Sequence, residues 1–215
     1  MTIRLLGRRN SCNVQKVMWM LDELELDHDH VEIGGAFGGN DSAAFLSLNP
    51  NGTVPVLKDG GLTLWESHAI LRYLAAQYGS GRFWPEDPVD RAVVDQWTDW
   101  TATTFQPAWI ALFWQVVRTP APQHDAEAIA AALHRTYRSF EIMDTRLASS
   151  PWLAGDAFSI ADIAAGAALY RWSSMEIDRP ELPHVEAWHE RLSERRAFRE
   201  AVCRSFEELR GRTAY

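Results

Sequence analysis

Three short segments bring together residue types that can do chemistry: Ser11-Cys12-Asn13, Thr53-Val54-Pro55 and Glu66-Ser67. A hydroxyl or carboxamide can donate a hydrogen bond to an anion or thiolate, and a thiol at a helix start is acidified by the dipole there. The first and third segments each follow a short apolar run and precede a helical pattern. Each therefore offers helix N-terminal amides to an anionic group. In an open sheet, ligands collect at strand ends beside such helix starts. Ser11 and Ser67 are equally suited to plain helix capping, and Pro55 to a simple turn.

The elements that must position these residues alternate in type. Ile3 to Leu6 followed by Gly7 reads as a buried strand. Val14, Val17, Met18, Leu21 and Leu24 recur at helical spacing and predict a helix over about 13–25. Val31 and Ile33 alternate with polar neighbours as a second strand, and Gly34, Gly35, Gly38 and Gly39 mark a connector loop. Ala43 to Leu48 gives one or two helical turns. Val54–Leu57 and Leu62–Trp65, separated by Lys58-Asp59-Gly60-Gly61, predict a hairpin. A helix with Ile70, Tyr73 and Leu74 on one face follows. The order implies a mixed four-stranded sheet covered by helices.

Beyond a linker holding Gly79, Gly81, Pro85 and Pro88 the pattern is helical throughout. Asp87-Pro88 is a helix start, with Asp as N-cap. Pro107 is expected to kink or interrupt that helix. Leu133, Tyr137, Phe140, Asp144 and Leu147 mark a second long helix. Ser159 and Asp162 have the spacing of a capping box, opening an apolar helix through Ile163, Ala167 and Tyr170. Glu186 to Arg210 is polar with Trp188, Leu192, Phe198, Val202 and Phe206 inserted, which predicts a segment packed on one face. The arginines of 191–212 alternate with glutamates and read as a solvated helical face.

Composition narrows the function. The chain has 215 residues, 47% hydrophobic and 23% charged, with 21 basic and 29 acidic side chains and a net charge of −8. The acidic excess runs through both halves, so nucleic-acid binding, which needs a positive footprint, is disfavoured. No stretch is apolar enough for a membrane span, and no secretory pattern opens the chain. Two cysteines suggest a reduced, cytoplasmic setting. The histidines show no zinc spacing, and the glycine-rich loop lacks the ending of a phosphate loop.

Asn49-Pro50-Asn51-Gly52-Thr53-Val54-Pro55-Val56-Leu57, Trp65-Glu66-Ser67-His68-Ala69-Ile70-Leu71-Arg72-Tyr73-Leu74 and Phe158-Ser159-Ile160-Ala161-Asp162, in this order, resemble the cytosolic glutathione S-transferase family along essentially the whole chain. Asn10 to Val17 is most similar to its serine-type bacterial branch, of theta, phi or nu kind. The resemblance implies an α+β two-domain architecture. Residues 1–80 would form a thioredoxin-like glutathione-binding domain, 81–88 a linker, and 89–215 an all-α helical bundle supplying the substrate site.

The resemblance also implies residue roles. A cis peptide precedes Pro55, and the Val54 backbone pairs with glutathione like an added strand, with Thr53 alongside. Glu66 faces the γ-glutamyl ammonium, and Ser67 with the helix amides receives its carboxylate. Ser11 donates to the sulfur; Asn13 and Cys12 remain alternatives for that contact. Trp109, Phe113 and Trp114, among the ten tryptophans and nine phenylalanines, are candidates for an apolar substrate pocket, though such residues also pack helices. Glutathione enters as co-substrate, no metal is expected, and the partner is a small hydrophobic electrophile or a peroxide, in a homodimer. Three activities fit: conjugation, glutathione-dependent peroxide or disulfide reduction, and non-catalytic ligand or partner binding.

Overall fold

Strand β1 spans Ile3–Leu6, with Ile3, Leu5 and Leu6 buried and Arg4 exposed. The computed structural model describes residues 2–213; Met1, Ala214 and Tyr215, the ends of the spans predicted above, lie outside the described residues. Helix α1, Cys12–Glu23, buries nearly every residue from Val14 to Leu21. It is enclosed by packing against the later helices Ser67–Tyr78, Ile160–Gly166 and Arg196–Ala201. Its Trp19 meets Phe198 and Phe158 with ring centroids 4.9 and 5.8 Å apart.

Strand β2, His28–Val31, runs parallel to β1. It ends before Ile33, which was expected inside it, because the chain turns away at Gly34 and Gly35 into a 3-10 turn at Gly35–Phe37. Helix α2, Ala43–Leu46, is a single turn capped by Ser42, whose Oγ accepts the Phe45 N–H at 3.2 Å. The hairpin strands are β3, Val56–Asp59, and β4, Leu62–Trp65. Two corrections apply to the predicted hairpin. Val54 precedes the strand, since Pro55 has no N–H for the ladder. Lys58 and Asp59 belong to it, leaving Gly60-Gly61 as a two-residue turn with Gly60 at φ +57°. The sheet order is β2-β1-β3-β4, mixed as expected. Helix α3, Ser67–Tyr78, buries Ile70 and Leu74, while Tyr73 donates to Asp59 at 2.8 Å.

The rest of the described chain is helical. Asp87 caps α4, Pro88–Trp100, accepting the N–H groups of Val89 and Asp90 at 2.8 and 3.2 Å. Pro107 does not interrupt this helix. A π-helical stretch, Thr101–Phe105, intervenes before α5, Gln106–Phe113, and a second one, Trp114–Arg118, follows. A π turn, though rare, carries a helical chain onward without breaking it.

Helix α6 spans Ala126–Leu147. The predicted capping box forms at the start of α7, Ile160–Gly166, whose residues are all buried. The apolar helix expected to continue to Tyr170 instead breaks at Ala167-Ala168 and resumes as α8, Leu169–Ser174. Gly166 explains the tight packing there: a Cβ would lie 2.9 Å from Leu192 and 3.1 Å from the Trp19 ring. Helices α9, Pro183–Ser193, and α10, Arg196–Ala201, close the core with Trp188, Leu192 and Phe198. Arg195 departs from the solvated face predicted for its segment. It forms a bidentate pair with Glu23 at 2.7 and 2.6 Å, and that carboxylate is only 8% exposed.

The seam between the sheet half and the helical half is both apolar and ionic. Arg72 on α3 pairs with Asp95 on α4 at 2.6 Å, and Trp84 donates to the same carboxylate at 3.1 Å.

Candidate active site at the start of the first helix

Gly7 ends β1 at φ +153°, and a Cβ there would sit 2.5 Å from Val14 Cγ2. Only glycine lets the loop leave the strand this close to α1. The loop then delivers Ser11 to the N-cap of α1, where its N–H bonds Arg8 O at 3.0 Å. The Ser11 hydroxyl makes no capping bond. Ser11 lines a cleft of about 170 Å³ between the start of α1, the later part of α5 with the π stretch after it, and α8, which Cys12, Asn13, Trp109, Phe113 and Trp114 also line. Trp109 and Phe113 are buried and Trp114 is partly exposed.

Asn13 joins this cleft to the start of α3. Its Oδ1 accepts from Ser67 Oγ at 3.4 Å and from Lys16 Nζ at 3.2 Å. With the carboxamide oxygen so occupied, its NH2 group is the end left to act as a donor. Cys12 also lines this cleft, but it is buried and its thiol donates to Ala167 O at 3.6 Å across the seam.

The second segment comes close to the loop before α1: a Cβ on Gly7 would lie 3.1 Å from Val54 Cβ. Asn49 Nδ2 donates to Thr53 O at 2.8 Å, and Asn49 Oδ1 accepts the Asn51 N–H at 3.0 Å, so the turn before Val54 is tied to its own side chain. The Val54-Pro55 peptide is cis, as the resemblance implies. Glu66, at the N-cap of α3, is exposed and held at φ +70°, a conformation non-glycine residues rarely adopt. Such backbone is concentrated at functional sites. Ser67 begins α3 and is buried.

Two groups that the sequence reading passed over lie beneath. Lys16 is buried, and its ammonium bonds Asn13 Oδ1, the Gln106 carboxamide oxygen and His68 Nε2. Three acceptors match its three donors. Burial pulls the Lys16 pKa down to about 8, against the opposing influence of Cys12 and Glu66. The His68 ring is pushed far below its usual range by burial first, then by Lys16 and Arg72. The pair therefore carries one positive charge, on Lys16, with neutral His68 as acceptor. The signal was present: Lys16 interrupts an otherwise apolar run, and His68 follows Glu66-Ser67 directly. Trp97 and Trp100, by contrast, pack on each other and on Phe105, away from the cleft.

Among the described residues there is no group of three or more His, Cys, Asp or Glu able to hold a metal, and no helix long and apolar enough to cross a membrane.

Comparison with known proteins agrees with this geometry. The family profile described as "Glutathione S-transferase, N-terminal domain" matches residues 1–76, and "Glutathione S-transferase, C-terminal domain" matches 102–196. Glutathione S-transferase GstB of Escherichia coli K12 is 41% identical over 93% of this chain and 97% of its own. Disulfide-bond oxidoreductase YfcG of the same organism is 33% identical, over 90% and 91%. The crystal structure of a theta class glutathione S-transferase from Xanthomonas axonopodis pv. citri with glutathione bound superposes with a TM-score of 0.91. It has 48% identity and covers 95% of this chain and 98% of that one. A mixed sheet followed by a helical bundle, a helix start bearing an uncommitted serine hydroxyl, and both profiles in order have one common explanation: the chain belongs to the glutathione S-transferase family.

Proposed function

We propose that this transferase ionises glutathione at the start of α1 and directs the thiolate onto a small electrophile held against the aromatic wall of the cleft. The observation that carries the reading is the Ser11 hydroxyl. It stands at a helix N-terminus, makes no capping bond, and faces the same cleft as Trp109 and Phe113.

A free cysteine thiol has a pKa near ~8.5 and is mostly protonated at about pH 7. Donation from Ser11, the first amides of α1 and its dipole all favour the thiolate. A drop of about two units requires ~2.7 kcal/mol, within reach of these effects together. Asn13 adds its NH2 as a second donor to the sulfur. Lys16 holds that carboxamide oriented and places a buried positive charge beneath it. The tripeptide supplies the nucleophile, so no protein side chain attacks the substrate.

The backbone of Val54, flanked by Thr53 and Pro55, pairs with the cysteinyl unit. Glu66 meets the γ-glutamyl ammonium, and Ser67 with the α3 amides meets its carboxylate. In this reading residues 1–80 bind glutathione, 81–88 link, and 89–215 supply Trp109, Phe113 and Trp114 for the electrophile. The protein acts as a cytoplasmic homodimer in detoxification chemistry.

Peroxide or disulfide reduction through Cys12, which also lines the cleft, is the weaker reading, since the residue is buried and its thiol donates to Ala167 O. Glutathione-dependent turnover of an aryl halide, a hydroperoxide and a mixed disulfide separates the reactions. Conjugation that collapses in Ser11→Ala and persists in Cys12→Ser supports the proposal. Loss confined to Cys12→Ser, or no binding of millimolar glutathione by calorimetry, overturns it.

A further inference from the structure

Gln106 is the first residue of α5, the helix that carries Trp109 and Phe113, and its carboxamide oxygen accepts from the buried Lys16 ammonium of α1. An ammonium can only donate, so the oxygen end of the carboxamide is the one that faces it. Trp109 and Phe113 follow three and seven positions later, on the same side of the helix by its spacing. From Lys16 the contacts continue to Asn13 Oδ1 at 3.2 Å, and from there to Ser67 Oγ at 3.4 Å. One connected series of hydrogen bonds therefore runs from the start of α3, through the start of α1, to the start of α5.

The choice of lysine is informative. Lys16 and Lys58 are the chain's two lysines, every other basic side chain but histidine being arginine. Arginine keeps its proton at any working pH, whereas a buried lysine can lose it. Burial brings the Lys16 pKa down to about 8, so its charge depends on the acceptors that meet it. The titratable groups facing it are Cys12 on its own helix and Glu66 and His68 at the start of α3, with Arg72 acting on His68 in turn. The other helices packed on α1 leave it alone. Asp162 of α7 is taken up by Leu153, Ser159 and Trp188. On α10, Arg196 and Glu200 act at Asp22, near the far end of α1, and Arg199 donates to Ser193 O. Helix α5 has no ionisable residue, so Gln106 is its contribution to this cation.

We propose that Gln106 is a positioning residue for the transfer reaction, holding the Lys16 ammonium so that the helix bearing the aromatic wall also governs the charge beneath the bound sulfur. This rests on the transferase reading above and adds to it a link between the electrophile's helix and the glutathione site.

The test reads Lys16 directly and then follows turnover. Isotope-labelled lysine, followed by NMR at Cε in the glutathione-free protein, gives one signal for Lys16 and one for Lys58. Gln106→Leu removes the acceptor and is expected to move the Lys16 midpoint down by about one unit. Gln106→Glu supplies a negative acceptor of the same size and is expected to move it up by about as much. Conjugation of chlorodinitrobenzene should follow the charge. At about pH 8 Gln106→Leu is expected to lose about three-fold in kcat/KM, as charged Lys16 falls from roughly a half to a tenth. At about pH 6, where Lys16 is charged in both proteins, the variant should match the parent within about two-fold. Gln106→Glu keeps the hydrogen bond and decides the matter should Gln106→Leu not fold. A Lys16 midpoint unmoved in Gln106→Glu, or a loss in Gln106→Leu that is equal at every pH, overturns the proposal and leaves the transferase reading standing. A parent that binds no glutathione overturns both.

Discussion

Lys16 Nζ lies 2.9 Å from His68 Nε2, with both side chains buried beneath the starts of α1 and α3. One element supplies the cation and the other its acceptor, so α1 and α3 are tied through a single hydrogen bond. Replacing Lys16 removes a positive charge under the proposed sulfur site and frees Asn13. Lys16→Met is expected to lower kcat/KM by about ten-fold, the cost of roughly one pKa unit in the bound thiol. The pH profile gives the sign. Lys16 keeps its charge below about pH 8 and loses it above, so parent activity should level or fall past that point. Lys16→Met should lack that limb.

The same residue makes a stability prediction. Its folded pKa is lowered from 10.5 to about 8, so between those values the unfolded chain holds more protons at this site than the folded one. Stability therefore rises with pH across that window as the buried charge is relieved, by about 3 kcal/mol. Denaturant titrations near either end should show the parent gaining on Lys16→Met by about that amount.

Ser11→Ala should cost about ten- to a hundred-fold in kcat/KM, the range of a hydrogen bond to a charged group, ~1.5–3 kcal/mol. The pKa of bound glutathione, followed by thiolate absorbance, should rise in parallel. Because the hydroxyl makes no capping bond, the melting temperature should barely move. A large stability loss would show that it acts as a cap instead.

Asp162 is buried and accepts four hydrogen bonds: Leu153 N–H at 3.0 Å, Trp188 Nε1–H at 3.1 Å, and the N–H and hydroxyl of Ser159 at 3.0 and 3.2 Å. Asp162→Ala leaves those donors unmet and is expected to cost about 3 kcal/mol or more. Burial raises its pKa to about 6, outweighing the donors that favour the anion. Between the ordinary value and 6 the folded state binds more protons, so this residue's contribution to stability declines as pH rises through that interval. Asp162→Asn should abolish that slope in unfolding measurements.

Arg195 is the counter-ion of a carboxylate that also accepts from Trp19 Nε1 at 2.9 Å. Arg195→Ala strands Glu23 and should cost about 3 kcal/mol, as for other nearly buried pairs broken on one side. Adding Glu23→Gln should recover part of it, read as the coupling in a double-mutant cycle.

The fold was legible where local chemistry and packing agree. Asp87-Pro88, Ser159 with Asp162, and the apolar run of β1 each form the element their spacing predicts. The misses come from backbone effects that hydrophobic spacing does not encode. Pro55 delays β3, Gly34 shortens β2, and a π stretch absorbs Pro107. Ser11, Asn13, Trp109, Phe113 and Trp114 line one cleft. Lys16 and His68, 52 positions apart in sequence, are brought into contact only by the tertiary arrangement.

The two π stretches around α5 let one rod serve two masters. Upstream, Asp95 fastens it to α3; downstream, Trp109 and Phe113 line the opening beside Ser11. Each residue of an α-helix turns the rod by roughly 100°. Deleting one residue between Thr101 and Phe105 would thus swing the aromatic wall aside while the anchor at Asp95 stayed put. Length changes at these points, rather than side-chain exchange, offer lineages of this fold a way to re-aim the acceptor wall without rebuilding the joint that holds the halves together.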